Sequence, residues 1–354
     1  MIQPRVYFAF PKKYRKVFQE AERQYCPKSG EYLLNHNRAG LLLALKALQL
    51  PQGSMVGVMA YNCHTVMNAV VDAGYKVGFL DVTKDLLLDM EDLQKKRDKL
   101  SAIIVSHLFG IANDIDAVMR MCPNIPIIED CAHAFGMKQC GKTGDFAVYS
   151  IGAGKFPSVG EGGILKVNRL QYRSVIERLL AEVQPYSWKQ ERSLFRKLQV
   201  LNWLYTPFVY SYLTLPLLKR NNKKIASARE QIKVLKMSKG ISAVYNEVLL
   251  YTEQMKERQQ AFTSYLIEYF KEIKGVRVVN KNPEESNCFM FPLYCDNPVG
   301  LKMRLRQYGI EAETHFRHCL IWGKEYGYQE KDCPQAEDLT RHLLMIPTYK
   351  NFKL

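Results

Sequence analysis

The chain has 354 residues, and this length predicts two domains or one large domain with an appendage. With 47% hydrophobic and 24% charged residues, the composition is typical of a globular protein and excludes an intrinsically disordered one. The 50 lysines and arginines exceed the 35 acidic residues by 15. This excess favours anionic partners: nucleotides, phosphates, nucleic acid or an anionic membrane surface.

The nine cysteines are dispersed and form no CxxC pair. Their spacing argues against a zinc knuckle or a redox dithiol, and it is typical of a reduced intracellular protein. The N-terminal sequence has no apolar stretch followed by a small-residue cleavage site, so no secretory signal is expected. We therefore expect a cytoplasmic protein.

The first half alternates between helix-like and strand-like segments. Residues 38–50 place leucine and alanine at helical spacing and are followed by Pro51, which predicts a helix that ends there. Apolar runs then alternate with helix-like stretches, the runs at 55–60, 77–80, 102–106 and 125–128 and the stretches at 64–73, 89–97 and 114–121. This alternation predicts parallel βα units, in which ligands bind at the carboxyl ends of the strands.

Residues 169–239 have a different composition. An apolar, aromatic segment at 200–218 lies between basic residues, and polar residues and prolines interrupt it, so a membrane span is not favoured. One interpretation is a buried helical hairpin or a subunit contact, and another is a surface that meets a membrane or an apolar substrate tail. The region contains 15 lysines and arginines against four glutamates. We therefore expect residues 197–224, including Lys219, Arg220, Lys223 and Lys224, to dock a diphosphate-bearing substrate or an anionic membrane surface.

The last third predicts a smaller α+β domain. A long amphipathic pattern covers 241–274, strand-like runs follow at 276–279, 288–294 and 310–316, and a final helix pattern covers 334–345. The predicted domains are residues 1–240, with an insertion at about 169–239, and residues 241–354.

The segment 125–163 contains the residues with the clearest chemical potential. A buried strand ends in Glu129 and Asp130, at the mouth of the predicted sheet. Burying Asp130 requires a cation or a helix N-terminus beside it. Two interpretations therefore stay open: a structural ion pair or cap, and a carboxylate that holds the protonated ring nitrogen of pyridoxal phosphate.

A second strand-like run ends at Ser150 and leads through a glycine-containing turn to Lys155. A lysine between small residues and apolar strands is typical of those that form Schiff bases, because partial desolvation favours the neutral amine. Ser150 and nearby backbone NH groups are suited to a phosphate. The alternative is an ordinary loop lysine exposed to solvent.

In this order, the motifs resemble the DegT/DnrJ/EryC1/StrS family of sugar aminotransferases. The resemblance rests on HLFG at 107–110, EDCAHAFG at 129–136, GD at 144–145, SIGAGK at 150–155 and GEGG at 160–163. It implies an α/β protein with the aspartate-aminotransferase fold (pyridoxal-phosphate fold type I). It also implies a homodimer that transfers an amino group from L-glutamate to a keto-sugar, usually nucleotide-linked, as in the biosynthesis of amino sugars and surface polysaccharides.

The resemblance implies a role for each matched residue. Lys155 would carry pyridoxal 5′-phosphate as a Schiff base, Asp130 would hold its ring nitrogen, His133 would contact the hydroxyl side of the ring, and Ser150 would bind the phosphate. Residues His107, His315 and Arg317 are candidates for contacts with the substrate, and His107 is alternatively a histidine with satisfied hydrogen bonds at the end of a strand.

The chain departs from the family pattern at three places. The usual Ser-Gly-Thr phosphate turn is replaced by His36, Asn37 and Arg38, so that Arg38 is either a phosphate ligand or a solvated arginine at the start of a helix. The aromatic residue that stacks on the cofactor ring aligns with Cys63, and we expect the neighbouring His64 to substitute for it. An asparagine from the neighbouring subunit aligns near Val234, which makes Lys236 a candidate for that contact.

No metal is expected, because Cys131, His133, Cys63 and His64 have no further ligands at a recognised spacing. Two other functions remain as alternatives. The first is a different reaction, or a lipid-linked or cyclitol substrate, on the same cofactor fold; Lys155 disfavours a dehydratase, where this family has histidine. The second is a protein that binds a membrane or nucleic acid through its basic face, although the sequence contains no nucleic-acid motif and nucleic acid is not an expected partner.

Overall fold

The computed structural model describes residues 1–2, 12–221 and 229–349. Two sheets contain its strands: β1 (Glu31–Leu34), β2 (Met55–Met59), β3 (Lys76–Leu80), β4 (Ala102–Ser106), β5 (Ile127–Cys131), β6 (Phe146–Ser150) and β7 (Gly163–Val167) in the larger sheet, and β8 (Val276–Val278), β9 (Met290–Cys295) and β10 (Leu343–Pro347) in the smaller one.

The α-helices of the described residues are, in chain order, α1 (Lys12–Gln19), α2 (Asn37–Ala47), α3 (His64–Asp72), α4 (Met90–Lys96), α5 (Ile115–Met121), α6 (Arg173–Ala181), α7 (Trp188–Leu204), α8 (Pro207–Val209), α9 (Leu215–Asn221), α10 (Lys239–Leu249), α11 (Thr252–Phe270), α12 (Pro298–Gln307), α13 (Cys319–Gly323) and α14 (Pro334–His342).

The large sheet has the order β1-β7-β6-β5-β4-β2-β3. Pairing is parallel from β3 through β6, whereas β7 runs antiparallel to both of its neighbours. The predicted βα alternation is therefore confirmed from β2 to β6. Because these strands run in one direction, their carboxyl ends share one edge of the sheet, which is where the candidate residues lie.

Helix α2 is the predicted helix of residues 38–50, and it is buried on nearly all sides because it packs on the large sheet. A Cβ at Gly40 would lie 2.6 Å from Cγ1 of Val148, so glycine lets the helix approach β6 closely. The approach continues at Gly163, where a Cβ would lie 2.3 Å from the backbone carbon of His36. The two glycines hold the beginning of α2 against the site.

The small sheet has the antiparallel order β10-β9-β8 and packs against α11 and α12. Three expectations for this region were wrong in part. The pattern at 241–274 is two helices, α10 and α11. Residues 310–316 form no strand and make isolated bridges at Ile310 and from Glu313 to Met345. The final helix ends at His342, after which the chain enters β10. Helical and strand periodicity are hard to separate in short apolar runs, which explains the second and third errors.

The predicted boundary between residues 240 and 241 falls within α10. This helix packs with α1 and with residues beside the large sheet, including Ile151 and Ile164. The division into domains stays a prediction, and the packing of α10 favours a boundary near Leu250, between α10 and α11.

The region between residues 188 and 221 is a helical hairpin formed by α7 and by a second arm of α8, a π-helical turn (Tyr210–Thr214) and α9. The prediction of helices here is confirmed, but the prediction that the hairpin is buried is wrong, because many of its large apolar side chains are exposed. Among the described residues, no helix has both the length and the apolar composition that crossing a bilayer requires.

Candidate active site

A cavity of about 310 Å³ opens at the carboxyl ends of β4, β5 and β6. Eight of the residues predicted for the site line it: Asn37, Arg38, Cys63, His107, Asp130, His133, Ser150 and Lys155. The structure thus brings eight of the twelve predicted residues to one cavity at the strand ends, and their roles stay predictions. His64, His315, Arg317 and Lys236 are not among its lining residues.

Asp130 is buried at the end of β5, and hydrogen bonds fix its carboxylate. Oδ1 accepts from Nδ2 of Asn37 at 3.2 Å and from the backbone NH of Ala132 at 3.1 Å. Oδ2 accepts from Oγ of Ser106 at 3.1 Å. Burial raises the pKa of Asp130, while these hydrogen bonds and the charge of Lys155 oppose that rise. The carboxylate is thus oriented and lies in a medium where a cationic partner is favoured.

Lys155 lies beside His133, and the contacts of the histidine define the tautomer of its ring. Nδ1 of His133 accepts from the backbone NH of Phe109 at 3.2 Å, and Nε2 lies 2.7 Å from Nζ of Lys155. Burial first, and then the charges of Lys155 and His315, hold the pKa of His133 well below its ordinary value. A neutral ring that accepts at Nδ1 carries its proton at Nε2. Nε2 is thus the proton-bearing nitrogen of the ring, and it faces Nζ of Lys155.

Ser150 and Gly152 form the other polar wall. The Ser150 side chain has no hydrogen-bond partner within the residues that the structure describes. A Cβ at Gly152 would meet only Oγ of Ser150, at 3.6 Å, so glycine leaves room beside this hydroxyl. A free hydroxyl next to an open glycine backbone is suited to an anionic oxygen.

Residues His36, Asn37 and Arg38 begin α2 at the same cavity. The Asn37 amide donates to Asp130 and to the carbonyl of Val148, so its observed contact is the carboxylate. Arg38 has no hydrogen bond or ion pair to any described residue, which leaves its guanidinium available to an anion. Burial, with the charges of Arg38 and Lys197, lowers the pKa of His36 to about 3. His36 is therefore neutral, and the positive charge at this end of α2 comes from Arg38.

Cys63 lines the cavity, but the structure does not bring its neighbour His64 to it. The His64 ring lies 4.7 Å from the ring of Trp322, measured between centroids, and its Nδ1 is buried without a partner in the described part of the chain. Packing at the start of α3 turns this side chain away, so the cofactor contact expected of His64 is not observed. An aromatic ring is supplied instead by Phe316, which lines the cavity and lies parallel to His133 at 6.0 Å.

The remaining predicted residues are distributed differently. His107 is fully buried: Nε2 lies 3.0 Å from Oε2 of Glu129, and Nδ1 accepts from the backbone NH of Asn113. Both ring nitrogens are used, which favours the interpretation as a histidine with satisfied hydrogen bonds. His315 lies behind the cavity wall against Phe109 and Phe316.

Arg317 and Lys236 are exposed. Arg317 Nε donates to Nε2 of His318, and Lys236 is held through its backbone by Leu34 and Gln184. Neither side chain touches the cavity of this chain. A contact of Lys236 with a neighbouring subunit stays a prediction.

His107, Glu129 and Cys131 place potential metal-ligand atoms within 4.8 Å of one another. The Glu129 oxygens already accept from His107 and from the backbone NH groups of Gly141, Thr143 and Gly144. These four hydrogen bonds occupy the carboxylate. The cluster is thus explained as a structural support beneath the site.

Three further residues line the cavity to which the sequence assigned no role: Ser106, Asn62 and Phe316. Asn62 donates to Oγ of Ser106 at 2.8 Å, and Ser106 donates in turn to Asp130. Ser106 ends β4, so the rule of ligands at strand ends was a sufficient signal for it. The approach of Phe316 depends on the folding of the last third of the chain, and no local pattern indicates it.

A mostly parallel sheet whose carboxyl edge holds a lysine, a buried carboxylate and a free hydroxyl defines the class of fold type I pyridoxal-phosphate enzymes. A model of the DegT/DnrJ/EryC1/StrS aminotransferase family matches residues 11–190 and 219–354, and the chain belongs to this family. It is a pyridoxal-phosphate-dependent sugar aminotransferase, and both the enzyme class and the cofactor agree with the sequence resemblance.

Characterised relatives are similar at modest identity. GDP-perosamine synthase of Vibrio cholerae is 28% identical over 164 residues, which are 44% of this chain and 45% of that protein. Spore coat polysaccharide biosynthesis protein SpsC of Bacillus subtilis (strain 168) is 23% identical over 338 residues, or 89% of this chain and 79% of that protein. The structure of sugar aminotransferase CalS13 from Micromonospora echinospora has a TM-score of 0.72 and 18% identity, and the match covers 99% of this chain and 96% of that one. This last likeness shows the fold.

The cavity fits pyridoxal 5′-phosphate. Asp130 would hold the cationic ring nitrogen, Ser150 and the backbone at Gly152 would receive phosphate oxygens, and Lys155 would be the residue that carries the cofactor. When bound, the cofactor supplies an electron sink for negative charge on the substrate carbon. The residue roles are proposals that rest on the contacts described above.

Proposed function

We propose that this enzyme moves an amino group from L-glutamate to a nucleotide-linked keto-sugar and acts as a homodimer. The observation that carries the proposal is the pair formed by Lys155 and His133, 2.7 Å apart at a cavity that also contains Asp130. Transamination requires a group that takes a proton from one carbon and returns it to another. The amino group of Lys155 takes up a proton in its neutral form and returns it from its charged form, so this side chain is suited to both steps.

The neighbouring residues support this work. The Nε2 proton of His133 orients the Lys155 amine, and the backbone NH of Phe109 fixes the tautomer of the histidine. Asn37, Ser106 and Ala132 keep the Asp130 carboxylate in place. Arg38, as a free cation at the mouth of the cavity, is suited to the cofactor phosphate or to an anionic group of the substrate.

The proposed substrate rests on the relatives. The GDP-perosamine synthase similarity supports a nucleotide-linked amino sugar, and the similarity to SpsC supports a place in polysaccharide biosynthesis. A cytoplasmic location is part of the proposal: all nine cysteines are free thiols and seven of them are buried. A lipid-linked or cyclitol acceptor remains an alternative substrate on the same site.

The donor half-reaction tests the proposal directly. The cofactor-loaded protein is mixed with L-glutamate, and its visible absorbance and the release of 2-oxoglutarate are followed. We expect the wild type to form one equivalent of 2-oxoglutarate per site and Lys155→Ala to form none, whereas the exposed Lys99→Ala, as a matched control, behaves as wild type. A wild type that loads with cofactor but leaves glutamate unchanged contradicts the proposed donor.

The acceptor is tested next with keto-sugars that carry GDP, UDP or dTDP, and with the same sugars without nucleotide. The proposal predicts turnover with a nucleotide-linked ketone and at least about 100-fold lower kcat/KM without the nucleotide, because its binding energy is lost. Equal turnover of the free sugar, or turnover of a cyclitol ketone alone, contradicts the substrate assignment. Sedimentation measurements of the holoenzyme test the homodimer.

A further inference from the structure

The insertion hairpin, defined as residues 188–221, has features that the aminotransferase reaction does not explain. The family model leaves residues 191–218 unmatched between its two aligned parts. This gap corresponds to most of α7, α8, the π-helical turn and the beginning of α9. The sequence of the hairpin therefore departs from the family model, and its own surface indicates what it does.

One face of α7 attaches the hairpin to the enzyme. Leu194 and Leu198 are buried in a cluster with Ile151 and Val159. Leu198 packs directly over Gly160, where a Cβ would lie 2.3 Å from the leucine Cδ2, and Gly160 lines the active-site cavity. The base of the hairpin is thus part of the wall behind the site, and the hairpin is held in a fixed position next to the cavity.

The opposite face of α7 is exposed and basic at its base. Lys189, Arg192 and Arg196 lie on this face at helical spacing and are exposed, whereas the exposed Lys197 flanks the buried face and helps to lower the pKa of His36. Within the described residues, Lys189, Arg192 and Arg196 have no ion pair, and the same is true of Arg220 on the second arm. The one acid of the hairpin, Glu191, accepts from Ser238 and from the backbone of Lys239 instead. The base therefore presents a set of unneutralised cations.

Between Lys197 and Lys219 the hairpin contains no charged residue and is largely apolar. Its large apolar side chains are exposed there to an extent that is unusual for a soluble surface: Trp203 (54%), Phe208 (65%), Tyr212 (70%), Leu213 (42%), Leu217 (50%) and Leu218 (42%). Tyr210, Thr214 and Leu215 face inward and are buried, so the outward aromatic and aliphatic side chains are the remaining surface of a packed tip. The exposed apolar side chains are therefore held in place by the packing of these buried residues between the two arms of the hairpin.

We propose that the insertion hairpin docks the enzyme on an anionic lipid bilayer. An apolar tip with tryptophan and tyrosine, followed by a band of cations, matches the layers of a membrane surface: acyl boundary, interface and anionic headgroups. A second copy of the chain is a poorer fit, because the same patch on both copies brings like charges together. Nucleic acid also fits poorly, because its binding surfaces interleave aromatic rings with cations. Here Trp188 lies beside a cation, Arg192, whereas the exposed rings of Trp203, Phe208 and Tyr212 lie in a segment without charged residues.

Vesicle binding of the holoenzyme tests the proposal. We expect co-sedimentation with vesicles of phosphatidylglycerol and phosphatidylcholine in equal amounts, little with phosphatidylcholine alone, and a decrease with salt. The triple variant Phe208→Ser/Leu217→Ser/Leu218→Ser should lose at least about 100-fold in partitioning through lost apolar burial. The double variant Arg192→Gln/Arg196→Gln should lose about 30-fold, at roughly a factor of five for each cation near the surface.

Matched variants keep the test specific. Leu250→Ser/Val299→Ser/Met303→Ser removes three apolar residues outside the hairpin that are on average more exposed, and Arg258→Gln/Lys274→Gln removes two cations outside it. Both should bind vesicles as wild type. All variants should retain glutamate turnover, so that failure of docking and failure of the proposed aminotransferase reaction are separate results. Equal loss of binding in the control variants, or no binding to anionic vesicles at low salt, overturns the proposal.

A tryptophan reporter gives an independent readout. The chain has three tryptophans, and Trp188→Phe/Trp322→Phe leaves Trp203 at the tip as the single one. On anionic vesicles its emission should shift to the blue and be quenched by brominated acyl chains. An unchanged spectrum overturns the docking geometry. If the tip variants instead abolish a concentration-dependent self-association seen without lipid, the patch is a contact between copies and the membrane proposal is wrong.

Discussion

The cofactor cavity and the insertion hairpin differ in whether their charged side chains have partners within the protein. In the cavity, Asp130 accepts three hydrogen bonds and the underlying Glu129 accepts four. On the hairpin, Arg192, Arg196 and Arg220 have no carboxylate partner among the described residues. A buried charge needs its partners within the fold, whereas an exposed one can await a partner from outside. The first region is therefore expected to respond strongly to single substitutions, and the second only to its ligand.

The largest expected effect is at Asp130. Asp130→Asn keeps the shape of the side chain but removes the charge that holds a cationic ring nitrogen, and we expect kcat to fall about 10³-fold. The half-reaction with L-glutamate measures this loss. A decrease below about tenfold would mean that Asp130 is only a structural acid, which was the alternative interpretation of the sequence.

The pH dependence of the apoprotein provides a second test of Asp130. Burial raises its pKa, so the folded chain retains a proton that the unfolded chain releases. The contribution of Asp130 to the free energy of unfolding therefore becomes less favourable as the pH rises from the ordinary aspartate pKa to the raised one. Urea unfolding across this interval should show that slope in wild type and lack it in Asp130→Asn. Identical slopes would contradict the assignment.

The next effect is on stability, at Glu129. In Glu129→Gln, the amide group faces backbone donors at Gly141 or at Gly144, and we expect a loss of about 3 kcal/mol in the free energy of unfolding. Burial opposes ionisation of Glu129, but His107 and these NH groups hold its pKa below the ordinary value. Its contribution is thus present above the ordinary glutamate pKa and is lost as the pH falls through the lowered one.

Denaturant unfolding at neutral and acid pH checks this prediction. The exposed Glu257→Gln is the matched control and should change the free energy of unfolding by less than about 0.5 kcal/mol. The difference between Glu129→Gln and wild type should shrink on acidification. A difference that stays constant with pH would show that packing, and not the charge, accounts for the loss.

Although Leu198 belongs to the hairpin, it is buried against the cavity wall, and we expect it to respond strongly to a single substitution, as the cavity residues do. It is 1% exposed and packs over Gly160, so Leu198→Ala should leave a cavity and cost about 3 kcal/mol. Because Gly160 lines the active site, the apparent affinity for the cofactor should fall as well. Thermal unfolding and cofactor titration measure the two effects. Loss of stability without loss of cofactor affinity would separate the hairpin from the cavity wall.

The residues of the cavity also show what a sequence can predict. Lys155, Asp130, His133 and Ser150 follow strands, and their order was sufficient to indicate the cofactor. Phe316 and the turning of His64 towards Trp322 were not predicted, because both result from packing of distant segments. The antiparallel β7 was not predicted either, since a short apolar run does not reveal its direction.

For the hairpin, composition predicted an unusual segment but not its exposure. The periodicity of residues 188–204 predicts a helix. The sequence pattern of the apolar residues at its end is the same whether a protein core or a membrane covers them, so exposure could not be predicted. Lys223 and Lys224, and the side chain of Lys219, lie outside the described residues, so their part in the docking expected of 197–224 stays a prediction. What the structure adds is the exposure of the large apolar side chains in the uncharged segment between Lys197 and Lys219.

The smallest expected effect on the free energy of unfolding is at Leu217, and its comparison with Leu198 separates exposed from buried positions of the hairpin. Leu217 is 50% exposed on the same insertion as Leu198, so Leu217→Ala should change the free energy of unfolding by about 0.5 kcal/mol or less. The same substitution type thus gives a large loss at the buried position and almost none at the exposed one, as thermal unfolding of the two variants will show. If Leu217→Ala destabilises the protein as much as Leu198→Ala, the tip is covered within the protein itself, and an apolar patch free for a membrane does not exist.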